Sequence, residues 1–156
     1  MQKINNKKNI SFIFVMSFIL VIYTIGSNNV YSKLPDATIL EFFSPTDNNS
    51  LDVKITPNNH PIFSQNQSKF KVEFFEPGKD TIQVHVDYDF IITKNDEKLF
   101  SAAQQTGQPL LHTAEGVVTI PYVFTTPGDY NITVLAMGIN FIPIKEEFVS
   151  FPITVT

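Results

Sequence analysis

The residues best placed to do chemistry lie within residues 81–93, TIQVHVDYDFIIT. His85, Asp87 and Asp89 occupy every second position there, so a β-strand would place all three on one face, about 6.5–7 Å apart. An imidazole beside carboxylates suits Zn²⁺, Cu²⁺ or Mn²⁺, whereas carboxylates with carbonyls suit Ca²⁺. Because neighbours at that spacing share an ion only if another segment supplies ligands, His112 and His60 are the further candidates. One hypothesis is therefore a divalent-metal site.

A simpler interpretation of these polar residues requires no ligand. Acidic side chains on the solvated face of an edge-exposed strand keep other chains from pairing with it. We prefer this interpretation, because a metal site is recognised by a geometry that sequence spacing alone does not establish. On this interpretation the protein holds no cofactor.

The sequence contains no strong catalytic motif. Neither Gly-x-Ser-x-Gly nor His-Glu-x-x-His occurs, and the absence of cysteine excludes thiol catalysis, disulfides and cysteine-based metal sites. Asp87, Asp89 or Glu115 could supply paired acids for glycoside hydrolysis, but a small domain without tryptophan offers little material for a sugar cleft. We therefore expect that the protein is not an enzyme.

The first 32 residues differ sharply from the rest of the chain. A basic start with three lysines precedes a 16-residue apolar run, residues 10–25. This pattern is typical of a secretory signal peptide, with cleavage after Gly26 or after Ser32. The alternative is an uncleaved N-terminal membrane anchor, since about 17–25 apolar residues span a bilayer. Both interpretations place residues 33–156 outside the cytoplasm, and only residues 10–25 would contact the membrane.

The charge of residues 33–156 excludes one class of partner. This part of the chain has 8 lysines, no arginine and 15 acidic residues, a net charge of −7. Nucleic-acid binding depends on neutralising phosphates, and binding to an anionic membrane surface also requires basic residues. We therefore expect no nucleic-acid partner, and no membrane contact through this domain.

Alternating apolar and polar residues predict that the exported part is all-β. In residues 81–93, Ile82, Val84, Val86 and their successors would face a core and the residues between them would face solvent. Eight short strands separated by turns favour a β-sandwich. They are residues 37–44, 51–55, 70–75, 81–93, 98–102, 116–125, 130–137 and 148–155, with 51–55 as a short strand in an ordinary surface loop.

Residues 122–136, YVFTTPGDYNITVLA, carry a resemblance to known domains. They resemble the penultimate hairpin of immunoglobulin-like and PKD-type domains of cell-surface proteins. The resemblance implies an immunoglobulin-like antiparallel β-sandwich of seven to eight strands, preceded here by the N-terminal signal or anchor helix. It also makes Tyr130 a tyrosine-corner residue, whose hydroxyl bonds the backbone across the turn. The Trp-Asp-x-Gly-Asp-Gly stretch of PKD domains is missing.

A second resemblance concerns the order of elements around that hairpin. With residues 112–116 before it and 138–144 after it, the chain is similar to small uncharacterised secreted archaeal proteins. This resemblance implies an extracytoplasmic β-sandwich without a known reaction.

Together these observations predict a non-catalytic binding or structural module that is secreted or attached to the cell surface. Its expected partners are envelope or extracellular proteins, or other copies of itself. The alternative is an exported metal-binding protein that uses His85, Asp87 and Asp89 with His112. In an exported chain the sequons at Asn48, Asn66 and Asn131 are sites for N-glycans.

Overall fold

A computed structural model describes residues 40–156, and this part of the chain is all-β, with two antiparallel sheets packed in a β-sandwich-like fold. The predicted signal peptide or anchor, residues 1–32, lies outside the described residues. Within the described range, no helix combines the length and the apolar character needed to cross a membrane.

The described chain forms nine strands and one short helix. Sheet I has the strand order β1-β2-β3-β7, and sheet II has the order β5-β4-β8-β9. The short strand β6 also pairs with β4, on the edge that β5 occupies further along. The elements are β1 (Phe42–Pro45), β2 (Asp52–Pro57), β3 (Gln67–Phe75), β4 (Val86–Lys94), β5 (Glu97–Ser101), α1 (Ala102–Gln105), β6 (Leu111–Thr113), β7 (Val117–Val123), β8 (Gly128–Ile139) and β9 (Ile142–Val155).

Phenylalanine side chains from facing strands fill the space between the sheets. The ring of Phe70 in β3 lies 5.8 Å from that of Phe90 in β4, and Phe74 lies 5.4 Å from Tyr88. Each of these residues is buried, and burying a side chain of this size contributes about 1.5–3 kcal/mol. Packing of apolar side chains therefore holds the sheets together in a chain without disulfides.

The long strand predicted for residues 81–93 begins only at Val86. His85 has a φ of 52°, in the left-handed region, which interrupts an extended chain. Before it, Ile82 pairs with Phe75 of β3 through an isolated bridge, so residues 81–85 connect sheet I to sheet II. Val84, predicted to face the core, is consequently 41% exposed.

Two other segments differ from the prediction. The interpretation of residues 51–55 as a strand in a surface loop is wrong, because β2 lies inside sheet I and Leu51, Val53 and Ile55 are fully buried. A further strand, β6, lies outside the eight segments that the sequence predicts as strands. Its three residues pair with the start of β4.

The edge of β9 that faces away from β8 carries a proline. The backbone N–H of Phe148 donates to Oδ1 of Asp47 (2.9 Å) and its carbonyl accepts from the N–H of Asp47 (3.0 Å). The backbone groups of Phe148 therefore point away from β8. Pro152, four residues further along, has the same orientation because directions alternate along a strand.

The outer edges of sheet I have the same feature. In β1, the N–H of Thr46 donates to the carbonyl of Leu51 in the partner segment, so the preceding Pro45 faces the free side. In β7, Pro121 lies opposite Lys69 of β3. Both backbone groups of Lys69 bond to the residue after β2, so this pair is not hydrogen-bonded and Pro121 also faces outward.

Tyr130 in β8 joins the two sheets where the chain crosses between them. Its hydroxyl donates to the carbonyl of Thr126 (2.6 Å). Its ring packs against Phe124, which follows β7, at 4.8 Å. Burial raises the pKa of Tyr130, but hydrogen bonds from Thr126 and Lys94 and the charge of Lys94 lower it below its ordinary value.

We expect Tyr130→Phe to lower the free energy of unfolding by about 1–2 kcal/mol, because the ring stays in the core while the hydrogen bonds of the hydroxyl to Thr126 and Lys94 are lost. Denaturant unfolding of residues 33–156 measures the change. Tyr122→Phe is the control, since within residues 40–156 no hydrogen bond contributes to the raised pKa of the Tyr122 hydroxyl, which comes from burial and then the charge of Tyr130. Equal losses in both variants would contradict the prediction.

A buried carboxylate lies between two lysines on the outer face of sheet I. Glu73 in β3 lies 3.0 Å from Nζ of Lys54 and 2.7 Å from Nζ of Lys71. Burial raises the pKa of Glu73, but the hydrogen bonds and charges of the two lysines outweigh burial and lower it below 4.5. The ionised form of Glu73 therefore stabilises the fold.

Because the folded-state pKa of Glu73 is lowered, its contribution to stability is present above pH 4.5 and is lost as the pH falls through the folded-state value. We expect Glu73→Gln to reduce stability at neutral pH and to differ less from the wild type near about pH 3. Thermal unfolding across this range tests it. Glu115→Gln, at an exposed position, should follow the wild type throughout.

Candidate functional site

Three of the four predicted metal-site residues meet at one end of sheet II. The register of the sheet places His112 of β6 directly opposite Asp87 of β4. Nδ1 of His112 lies 2.7 Å from Oδ1 of Asp87, and Nε2 of His112 lies 3.4 Å from Nδ1 of His85. His112 therefore contacts Asp87 through one ring nitrogen and His85 through the other.

An aromatic residue that sequence reasoning missed completes this group. Phe141 lies at the tip of the β8–β9 hairpin, and its ring is 4.3 Å from that of His85 and 5.4 Å from that of His112. Asn140 and Phe141 have φ angles of 52° and 63°, as a two-residue type I′ turn requires. The N–H of Asn140 donates to the carbonyl of His85 (2.8 Å). We call His85, Asp87, His112 and Phe141 the imidazole cluster.

Gly138 leaves the space that the carboxylate of Asp87 occupies. It lies opposite Asp87 in β8, after a shift of register between Ala136 and Gly138. A Cβ atom at position 138 would lie 2.2 Å from Oδ2 of Asp87, so any other residue would displace that carboxylate. The sequence signal was a single glycine inside a strand, which often marks a bulge or a close approach.

Asp89 does not belong to the cluster, and the prediction that it lies on a solvated face is wrong. It is 6% exposed. Its Oδ1 accepts hydrogen bonds from the N–H groups of Phe90 (2.8 Å) and Ala103 (2.9 Å), and its Oδ2 accepts from the hydroxyl of Ser101 (2.6 Å). Burial, and then the charge of Asp89, raises the pKa of neighbouring Tyr88 to about 12. Asp89 therefore has a structural role.

Within residues 40–156, no three or more His, Asp or Glu side chains are arranged to hold a metal ion. The remaining histidine, His60, is exposed in the connection between β2 and β3 and makes no part of the cluster. Any ion at the imidazole cluster would therefore have fewer than three ligands of these residue types from this chain.

A shallow apolar groove lies where β5, α1 and β6 approach β7. Its volume is about 300 Å³, and its walls include Phe100, Ala102, Leu111, Ile120 and Pro121. The ring of Phe100 also lies 5.0 Å from that of Tyr122. Gln105 and Thr106 also line the groove, so it offers mainly apolar contact beside two neutral polar side chains.

A fully buried glutamate connects the β1–β2 turn to sheet II. Oε2 of Glu147 in β9 accepts from the hydroxyl of Thr46 (2.9 Å) and from the N–H of Ser50 (3.3 Å). Its Oε1 has no hydrogen-bond partner within the described part of the chain. No sequence pattern marked this residue, because it sits in the polar run Lys145-Glu146-Glu147.

The three sequons occupy different parts of the surface. Asn48 lies in the β1–β2 turn, Asn66 precedes β3 and Asn131 lies within β8. All three side chains are exposed. N-glycosylation at these positions stays a prediction.

The chain was compared with family models, curated proteins and solved structures. No family model, no curated protein and no solved structure matches the chain. The candidate site is therefore defined by its own geometry, two imidazoles beside a carboxylate under an exposed aromatic hairpin tip.

We expect Asp89→Ala to reduce the free energy of unfolding by about 3 kcal/mol, because it leaves three buried donors without an acceptor. Denaturant unfolding measures the change. Asp80→Ala, which removes an exposed carboxylate, is the control and should change stability by less than about 0.5 kcal/mol. A loss for Asp89→Ala as small as that of the control would exclude a structural role.

Proposed function

We propose that the protein is a non-catalytic, extracytoplasmic β-sandwich of immunoglobulin-like topology that acts as a secreted or cell-surface binding or structural module. The order of strands supports this topology. Sheet I contains β2, β3 and β7, and sheet II contains β4, β8 and β9. In immunoglobulin sandwiches, strands A, B, E and D share one sheet and C, F and G the other. The present sheets follow this division for A, B, E, C, F and G, with β1, β5 and β6 as additional edge strands, but within residues 40–156 no strand pairs with β7 at the position of D.

The position of Tyr130 also supports the proposed topology. In immunoglobulin-like domains the corner tyrosine lies near the start of strand F, and its hydroxyl bonds the backbone a few residues upstream. Tyr130 lies near the start of β8, the strand that corresponds to F, and bonds Thr126 four residues upstream.

The observation that carries the binding function is the exposed hairpin tip. Phe141 is 70% exposed and Ile142 is 66% exposed, the highest values among the large apolar side chains of the described residues. Val84 lies beside His85, whose carbonyl is bonded to the same hairpin, and is 41% exposed. Grouped exposed apolar residues rimmed by polar ones mark sites of interaction. Loops presented on a rigid scaffold commonly carry such functions.

The partner that fits this end is a protein of the cell envelope or the extracellular medium, including another copy of the chain. The net charge of −7 for residues 33–156 disfavours nucleic acid. Residues 10–25, if they are not cleaved, would supply the membrane contact. The mechanism is presentation, in which the packed aromatic core fixes the position of the hairpin tip toward the partner.

We expect the double variant Phe141→Asn with Ile142→Thr to bind envelopes isolated from the source cells at least about tenfold more weakly than the wild type, because an exposed aromatic anchor contributes about 2 kcal/mol or more. Asparagine accepts the left-handed φ at position 141, and threonine retains strand propensity at 142. Co-sedimentation measures binding, and thermal unfolding shows that the variant is folded.

Phe43→Ser is the matched control. Phe43 is 58% exposed on β1, an edge strand of sheet I, whereas the imidazole cluster lies in sheet II. This variant should bind like the wild type. Unchanged binding by the hairpin variant would overturn the proposed interaction surface. Location is tested separately, since a protease added to intact cells should reach residues 33–156 if this part of the chain lies outside the cytoplasm.

A further inference from the structure

We infer that His85 and His112 form a two-imidazole site for a divalent transition-metal ion, with Asp87 as the residue that positions His112 rather than as a ligand. This inference differs from the four-residue site expected from the sequence, because Asp89 is engaged elsewhere. It also goes beyond the proposed binding function, since it concerns an ion and requires no partner protein.

The spacing of the two nitrogens fits a metal ion. Nδ1 of His85 and Nε2 of His112 are 3.4 Å apart. Two histidine nitrogens at about 2.0–2.1 Å from a tetrahedral zinc ion are about 3.3–3.4 Å from each other. The same separation lies within hydrogen-bonding reach, so the two nitrogens that would hold an ion already face each other.

Asp87 determines which nitrogen of His112 is free to bind. Its Oδ1 lies 2.7 Å from Nδ1 of His112, so this nitrogen carries the proton and donates it to the carboxylate. In the neutral imidazole the lone pair is then on Nε2, the atom that faces His85. Carboxylates commonly orient metal-binding histidines in this way. Gly138 supports the arrangement, because a side chain at that position would displace the carboxylate.

The ligand type and the surroundings indicate which ions the site takes. Imidazole nitrogens suit Zn²⁺, Cu²⁺ and Ni²⁺, whereas Ca²⁺ and Mg²⁺ prefer oxygen ligands. The side chains of His112 and Asp87 are 37% and 36% exposed, so an ion would have coordination positions open to water. The ring of Phe141 covers the two imidazoles on one side. The site is therefore open to solvent and has an apolar side chain, Phe141, on one side.

The test is a calorimetric titration of residues 33–156, without a histidine tag, with ZnCl₂, CuCl₂, NiCl₂ and CaCl₂. This fragment contains the whole compact unit of Pro35–Thr156, which has its own core. We expect one saturable site for at least one transition-metal ion and none for Ca²⁺. His85→Asn and His112→Gln should each weaken that binding at least tenfold. Asparagine is compatible with the left-handed backbone at position 85.

His60→Gln is the matched control and should bind like the wild type, because His60 lies outside the cluster. Asp87→Asn should weaken binding about 10–100-fold, as loss of an orienting carboxylate does. In that variant Cu²⁺ should still broaden the NMR signals of both cluster histidines, which would show that the two imidazoles bind the ion without the carboxylate. Thermal unfolding without metal verifies that each variant is folded.

The inference is overturned if none of the three transition-metal ions gives saturable binding, or if His60→Gln weakens binding as much as His112→Gln. It is equally overturned if Ca²⁺ binds as tightly as Zn²⁺. Because the titration contains no partner, such a result leaves the proposed binding module standing. Conversely, failure of the hairpin variant to lose envelope binding leaves the metal site standing.

Discussion

The position of the candidate site depends on the hydrogen bonds that the buried carboxylate of Asp89 accepts. No single strand covers the outer edge of β4, because β5 pairs with its second half and β6 with its start. In the gap between them, Asp89 accepts hydrogen bonds from the backbone of β4 itself and from Ser101 and Ala103 at the start of α1. The side chain of Asp89 thus accepts hydrogen bonds at the point where no neighbouring strand pairs with this edge of β4. The chain can therefore leave the sheet as α1 and return as β6, and this return places His112 opposite Asp87.

The period-two pattern predicted most of the fold because core packing imposes it. Side chains such as Phe70 and Phe90 must alternate inward, whatever the strand order. The same pattern could not reveal that His85 adopts a left-handed backbone, since alternation continues through it in the sequence. Alternation also assigns each residue to a face without showing what covers that face. For this reason Asp89 was expected in solvent, although α1 buries it.

The candidate site was only partly visible for a related reason. The alternate spacing of His85 and Asp87 indicated that they share one face of a strand. The contact between Asp87 and His112, however, joins residues 25 positions apart and depends on the register of β6. Phe141 and Gly138 enter the site through a tight hairpin and a shift of register in β8. These are consequences of strand pairing across the sheet, and one segment of sequence does not contain them.

The prolines on the free edges of β1, β7 and β9 affect how copies of this domain behave at high density. A strand that joins a sheet needs an N–H donor at alternate positions of the edge, and Pro45, Pro121 and Pro152 each interrupt that row. Three of the four sheet edges in the described part of the chain are therefore poor templates for a strand from another copy, whereas the edge formed by β5 and β6 carries no proline. Backbone pairing between crowded copies would thus be confined to two strands of five and three residues, which offer little length for a continuous intermolecular sheet.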